Sequence, residues 1–375
     1  MEEARDLLQA ASMDPALALE LFRSGAFLIF DNFPTGSEFG IDYKSWTVGD
    51  KFKGLKMIPP GVHFVYYSLR SDSTAGRSQA PRMGFFHEFK SQEILLKKWD
   101  GRSEELSTDP PSDEEIDRYR SNLENLDPFL GPYPYDTYKV WFSLANYIGG
   151  DLARRLSPEI GTITMQPELV SLESETLGED SASRRVSRGS PARLRFCDEL
   201  GLPIMRVKRG AEIRFTTLPE VTPGDSTARL EEFLRNLGEG VCSTADGKTL
   251  ETRCLGELQF AFVCFLMGHV YEAFEHWKRL VHLLCSCRQA IADRPNLYWE
   301  LLQTLHFQVK QCPRDFFVDI VSRNNFLTVT LGNLFANIEA ETGAQGALKE
   351  KAAKFQNYLT KTFKWDFGSN EPVEK

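Results

Sequence analysis

Three residues in the second half of the chain have the side chains and the spacing to share a metal ion. His269, Glu272 and His276 lie three and four apart, which would place them on one stripe of a helix, close enough for joint ligation. The order is not that of His-Glu-x-x-His, where the glutamate adjoins the first histidine. Glu272 with His276, and Glu275 with Arg279, are also ordinary i, i+4 partners, so surface pairing at the edge of an apolar face is the leading reading. Gly247-Lys248-Thr249 ends like a phosphate-binding loop, but the position that needs the first glycine is Cys242, and Gly240 comes two residues too early. Without it the backbone cannot wrap a phosphate. Neither Gly-x-Gly-x-x-Gly nor Gly-x-Ser-x-Gly occurs. Cys285 and Cys287 are one residue too close for a Cys-x-x-Cys pair and would point about 200° apart on a helix. Cys264 and Cys285 fit simple burial, and Cys197, Cys242, Cys254 and Cys312 lack metal-ligand spacing. No catalytic residue, metal or cofactor is expected, and the chain is read as a non-enzyme.

The elements around these residues divide the chain. From Gly256 to Cys287 the pattern reads as one continuous helix: Leu266, Val270, Ala273, Trp277, Leu280 and Leu284 share a stripe. Leu258 to Met267 is apolar almost all round, as for a helix at the centre of a bundle. Further helices are expected at Leu297–Val309, Phe316–Val321 and Phe326–Ile338. A last one begins near Gly346, with Leu348, Ala352, Phe355, Leu359 and Phe363 inward. Lys349, Lys354, Lys361 and Lys364 accompany it, and Trp365-Asp366-Phe367 follow. No period of a helical repeat is evident.

The first third reads as β-rich. A short helix is capped by Asp14, takes Pro15 at its first position, turns Leu17 and Leu21 to one face and ends at Gly25. Strands are expected at Phe27–Phe30 and Val62–Tyr67, and again at Met83–Phe89 and Ile94–Trp99, the last two separated by a hairpin-sized gap, Lys90–Glu93. Such strands suit a sandwich or partial barrel. Between Asp100 and Asp127 ten acidic residues face three basic ones. Its first half reads as solvated linker, and its second as a helix with Ser112 and Glu115 in a capping box. A second helix, through Tyr138, Trp141, Phe142, Ala145 and Ile148, is expected to cover the sheet with it.

Composition narrows the class. The chain has 375 residues, 42% hydrophobic and 26% charged, with a formal net charge of −9, and its longest apolar run falls far short of a bilayer span. The start, Met1-Glu2-Glu3, lacks the basic and apolar parts of a secretory signal, and seven cysteines without a framework fit free thiols in a reducing compartment. An intracellular, mildly acidic protein of about two domains is expected, with no membrane partner. Residues 171–191 are rich in Ser, Glu and Arg, and nine basic residues face three acidic ones between Ala182 and Arg214. The run lacks interleaved aromatics, so sequence-specific nucleic-acid binding is not expected. Ser187 follows Arg184-Arg185, and Ser190 precedes Pro191. Phosphate on either would add up to about two negative charges among arginines and is expected to alter linker position and partner release.

Several blocks together carry a family resemblance. They are Glu38-Phe39-Gly40-Ile41-Asp42-Tyr43, Lys56-Met57-Ile58-Pro59-Pro60-Gly61, Pro81-Arg82-Met83-Gly84-Phe85-Phe86 and Phe129-Leu130-Gly131-Pro132-Tyr133-Pro134-Tyr135. Two longer ones are Gly256-Glu257-Leu258-Gln259-Phe260-Ala261-Phe262-Val263-Cys264-Phe265-Leu266 and Val270-Tyr271-Glu272-Ala273-Phe274-Glu275-His276-Trp277-Lys278-Arg279-Leu280. Asp315-Phe316-Phe317-Val318-Asp319-Ile320-Val321 and Lys364-Trp365-Asp366-Phe367 complete the set. The chain resembles the Aar-two splicing-factor family from about residue 13 to 367. The resemblance implies an α+β chain of two domains: a sandwich-like β domain over 13–155 with two covering helices, and an α-helical, VHS-like superhelical domain over 196–367. A flexible Ser/Arg-rich linker at 171–195 and a polar tail at 368–375 complete the organisation.

It also implies an assembly factor of the U-five small nuclear ribonucleoprotein, in the cytoplasm and nucleus. Such a factor binds the central scaffold protein of the spliceosome (Prp-eight) and keeps the helicase Brr-two off it. Lys364, Trp365, Asp366 and Phe367 are the local candidates for partner contact, with capping of the last helix against the bundle as the other reading. The alternatives are a helical cargo or peptide adaptor and, third, a metal hydrolase using His269, Glu272 and His276.

Overall fold

The computed structural model describes residues 14–71, 78–171, 204–220, 226–238, 249–312 and 326–367. Ser187, Ser190, the expected helix at Phe316–Val321, Gly247 and Lys248, and the tail beyond Phe367 lie outside them. The described residues form two compact units, one drawn from 1–134 and 157–214, the other from 135–156 and 215–375.

Two five-stranded sheets, with the short pairs β6–β7 (Arg70–Ser71 and Ser78–Gln79) and β13–β14 (Leu169–Ser171 and Met205–Val207), make the first unit. One is ordered β10-β9-β1-β4-β11, from Glu105–Leu106, Ile94–Asp100, Ala26–Asp31, Gly54–Ile58 and Leu130–Pro132. The other runs β12-β8-β5-β2-β3, from Ile163–Thr164, Met83–Phe89, Gly61–Ser68, Glu38–Ile41 and Lys44–Thr47. Alternation along β1 explains the layering. Phe27 and Ile29 point one way and join Ile94, Leu96 and Leu130 in a core covered by Phe22 of α1 (Pro15–Ser24), Ile116 and Tyr119 of α2 (Asp113–Ser121), and Leu123 and Leu126 of α3 (Leu123–Leu126). Phe30 points the other way, into an aromatic layer that joins the two sheets. Its ring lies 5.3 Å from that of Phe39 on β2, and Phe33 is 5.8 Å from Tyr67 on β5 and 5.7 Å from Trp99 on β9.

The caps are where the sequence places them. Asp14 accepts from the Ala16 amide, and Ser112 and Glu115 close a reciprocal capping box. On α1, however, Leu17 is exposed and Phe22 is the residue packed on the sheet. Lys90–Glu93 is not a hairpin turn: β8 pairs with β5 in one sheet, and β9 runs parallel to β1 in the other. Glu93 makes this crossing, accepting from the Lys90 amide at 2.7 Å and meeting His87 Nε2 at 2.8 Å. The strands flanking the Ser/Arg-rich stretch pair with each other. β13 (Leu169–Ser171) pairs with β14 (Met205–Val207), so both flanks of 172–203 belong to the first unit.

The second unit is helical. It contains α4 (Tyr138–Ala145), α5 (Gly150–Leu156), α6 (Thr227–Gly238), α7 (Leu250–Leu266), α8 (Tyr271–Cys285), α9 (Arg288–Asp293), α10 (Pro295–Gln311), α11 (Phe326–Ala340) and α12 (Gly346–Phe363). α7 is buried at every position from Arg253 to Cys264 and touches α4, α5, α6, α8 and α10. Burying one large apolar side chain contributes about 2 kcal/mol, against roughly 1 for a hydrogen bond, so packing fixes the place of α7 and its few polar groups fix register. Two expectations are corrected here. α4 packs on α7 in this unit and does not join α2 over the sheet. The helix expected to be continuous from Gly256 to Cys287 breaks between Leu266 and Tyr271, where His269 adopts φ +57° and the Val270 amide donates back to the Cys264 carbonyl.

Gly54 opens β4 at φ +139°, and a Cβ there would overlap the Leu28 carbonyl oxygen. Gly54→Ala should therefore lower unfolding free energy by at least about 2 kcal/mol in a denaturant titration. Gly101→Ala, in open space, should stay within about 0.5 kcal/mol of the parent.

Candidate functional site

Each unit has a buried carboxylate where several elements meet. In the helical unit it is Glu257 on α7, fully inaccessible to solvent. Its Oε1 accepts from the Thr216 amide at 2.7 Å, and its Oε2 from the Thr216 hydroxyl at 2.7 Å and from Arg155 Nη2 at 3.0 Å. His276 on α8 brings Nε2 to 3.0 Å from Oε1, at ion-pair distance but off the line of a hydrogen bond, and stacks on Phe215 with ring centres 4.0 Å apart. Burial opposes the charged carboxylate, yet His276, Thr216 and Arg155 outweigh it and hold Glu257 below the usual glutamate range. Two residues along, Gln259 accepts from the Tyr147 amide at 2.8 Å and donates to Asn146 Oδ1 at 2.8 Å. This lets α4 and α5 settle on α7, and Gly256 permits the approach: a Cβ there would lie 2.6 Å from the Tyr147 carbonyl oxygen.

In the β unit the corresponding residue is Asp42, in the turn between β2 and β3 at φ +54°. It receives His63 Nδ1 at 2.7 Å, the Phe64 amide at 3.0 Å and the Tyr133 hydroxyl at 2.5 Å. His63 Nε2 lies 2.8 Å from the Pro59 carbonyl oxygen, so both ring nitrogens are engaged. An Asp-His-Tyr set could serve acid–base chemistry, but here none of the three is more than 2% exposed. It ties the β2–β3 turn, β5 and the Gly131–Tyr133 segment together.

The three residues of the metal reading do not meet. His269 lies in the break before α8 and is exposed, Glu272 is exposed on α8, and His276 is buried against Glu257. Among the described residues no three His, Cys, Asp or Glu side chains are grouped to hold a metal ion. Cys254, Cys264, Cys285, Cys287 and Cys312 are free and buried. Burial pushes the Cys254, Cys264 and Cys285 thiols well up, and that of Cys312 to about 12, so little reactive thiolate forms. Cys197 and Cys242 lie outside the described residues. At the end of α12, Lys364 takes a left-handed cap and donates its amide to Thr360. Trp365 stacks on Phe363 at 5.1 Å, and Phe367 meets Phe335 of α11 at 5.3 Å. The two aromatics are half-buried against their own bundle, while Lys364 and Asp366 are exposed.

Two family models cover most of the chain: the AAR2 N-terminal domain over residues 24–158 and the AAR2 C-terminal repeat region over 220–368. The AAR2 homologue of Caenorhabditis elegans is 47% identical over 369 residues, 95% of this chain and 98% of the nematode protein. Those of Mus musculus and Homo sapiens are each 42% identical over 98% of this chain and 96% of their own length. The chain belongs to the AAR2 family. This is the family that the residue blocks resemble, and its two regions correspond to the β unit and the helical unit. The match to the AAR2 N-terminal domain runs to residue 158, whereas packing assigns 135–156 to the helical unit. Glu257, Gln259 and Asp42 all fall inside the quoted blocks, but their roles were missed. The available signal was a charged or amide side chain set inside an apolar run.

Glu257→Ala should cost about 3–5 kcal/mol, because Arg155 and His276 are left without their carboxylate. Since the folded group titrates below its ordinary value of 4.5, its stabilisation is complete above that pH and fades as pH falls through the lower folded value. Glu257→Gln should flatten this part of the acid-unfolding profile. A maleimide applied to the native chain, followed by mass mapping, should leave Cys254, Cys264, Cys285, Cys287 and Cys312 unmodified until denaturant is added.

Proposed function

We propose that the chain is a non-enzymatic splicing assembly factor that binds the central scaffold protein of the U-five small nuclear ribonucleoprotein, Prp-eight, and withholds it from the helicase Brr-two. The observation that carries this reading is the relation to AAR2 proteins along nearly the whole chain, through both regions. Among the described residues, the five cysteines and the Asp42, His63 and Tyr133 set are buried within the fold, which is in keeping with this reading. The mechanism is mutually exclusive binding. Apolar and aromatic anchors supply the energy, together with addition of a tail strand to a sheet edge. Lys364, Trp365, Asp366 and Phe367 contribute through the exposed parts of the C-terminal segment. Phosphorylation at Ser187 or Ser190 tunes partner release from a stretch whose flanks are paired in the β unit. The protein works in the cytoplasm and nucleus, where assembly and use of the particle take place.

Affinity purification from a nuclear and a cytoplasmic extract should recover the scaffold without the helicase. Recovery of both in one stable particle would overturn mutual exclusion, and recovery of neither would remove the scaffold assignment.

A further inference from the structure

Where α10 runs beside α12, the helical unit presents a stripe of aromatic and cationic side chains with no part in the networks above. Lys351 Nζ lies 3.9 Å from the centre of the Trp299 ring and donates to the Trp299 carbonyl at 2.8 Å. Seven residues further along both helices, His306 packs on Tyr358 with ring centres 4.5 Å apart. The constant offset between partners shows that the two helices run parallel here, and seven residues at 1.5 Å rise put the contacts about 10.5 Å apart. Phe363 continues the series, 6.4 Å from Tyr358 and stacked on Trp365.

Core-facing positions on α12 are Leu348, Ala352, Phe355 and Leu359, so Lys351, Lys354, Tyr358 and Lys361 form a neighbouring stripe. Trp299 is 39% exposed, Lys354 and Lys361 are exposed, and Tyr358 is half-buried. The chain as a whole is acidic, but Lys310, Lys351, Lys354, Lys361 and Lys364 gather here. Among nearby acids, Glu300 receives the Tyr147 hydroxyl at 2.6 Å, and Glu350 and Asp366 remain exposed. Burial, then the charge of Lys310, lowers the pKa of His306, while burial lowers that of Lys351 against the opposing charge of Glu300.

We propose that this stripe docks an acidic amphipathic helix of a partner protein. Apolar residues at i and i+7 of such a helix repeat at the same ~10.5 Å, and its acidic flanks meet the lysines. Single-stranded nucleic acid fits less well, because bases need open ring faces, and here Lys351 covers Trp299, His306 packs at a tilt on Tyr358, and Phe363 and Trp365 stack on each other. The surface rests on the chain acting through protein partners, as proposed above, but not on which protein is bound.

The test uses the full chain and a fluorescein-labelled synthetic helix of about three heptads, with Glu on its polar face and Leu or Trp at i and i+7. Fluorescence anisotropy should show binding that weakens at least about tenfold in Lys354→Glu/Lys361→Glu and falls several-fold as salt is raised. Both lysines are exposed, so circular dichroism and the unfolding midpoint should not change, and Trp299→Ala supplies a second variant with loss of binding expected. No binding, equal binding of a scrambled peptide of the same composition, indifference to both variants, or tighter binding of an oligouridylate would each overturn the proposal. Scaffold purification is read separately: its failure removes the scaffold, and the peptide result alone decides the stripe.

Discussion

Removing a carboxylate from water costs several kcal/mol, and the carboxylate stays charged only if its surroundings return that energy as hydrogen bonds and opposite charge. Glu257 sets this condition for the helical unit. Its partners come from α5, from the Phe215–Thr216 entry into the unit and from α8, so the three must arrive together or the charge is stranded. Apolar burial around α7 supplies most of the energy but would tolerate small slips of one helix past another. The carboxylate does not. Asp42 plays the same part in the β unit, where amide, imidazole and phenol close on one side chain and leave the β2–β3 turn a single way to lie on β5.

Much of this was legible in the sequence. The caps at Asp14 and Ser112, the inward residues of α12 and the all-round burial of α7 follow from spacing and side-chain type, because each depends on neighbours within a few residues. What was not legible depends on distant partners. A four-residue gap between two strand-like runs has the length of a hairpin whether the strands pair with each other or, as at Lys90–Glu93, go to separate sheets. The apolar face of α4 says that it is covered, not by what. α6 carries Leu230, Phe233, Leu234 and Leu237 at helical spacing, and all four are buried.

The candidate site shows the same division. His269, Glu272 and His276 share a stripe only if the helix is continuous, and Gly268 was the local sign that it is not. His276 does pair with a glutamate, but the glutamate is Glu257 on the preceding helix, α7, outside the spacing of a single helix. Side-chain type is thus legible in the sequence and the grouping of distant side chains is not, since a contact between helices has no period to read. The AAR2 blocks contain these residues because the blocks are long, and a block does not say which of its members holds the fold.

The β13–β14 ribbon has one more consequence. Its paired strands hold Ser171 opposite Met205, about 5 Å apart, so the chain is joined there whatever the length of sequence between them. Loop closure grows slowly with length, by about 0.6 kcal/mol for each doubling. Evolution can therefore lengthen, shorten or rewrite this stretch at small thermodynamic cost, and a laboratory can graft a reporter domain there while the frame beneath keeps its register.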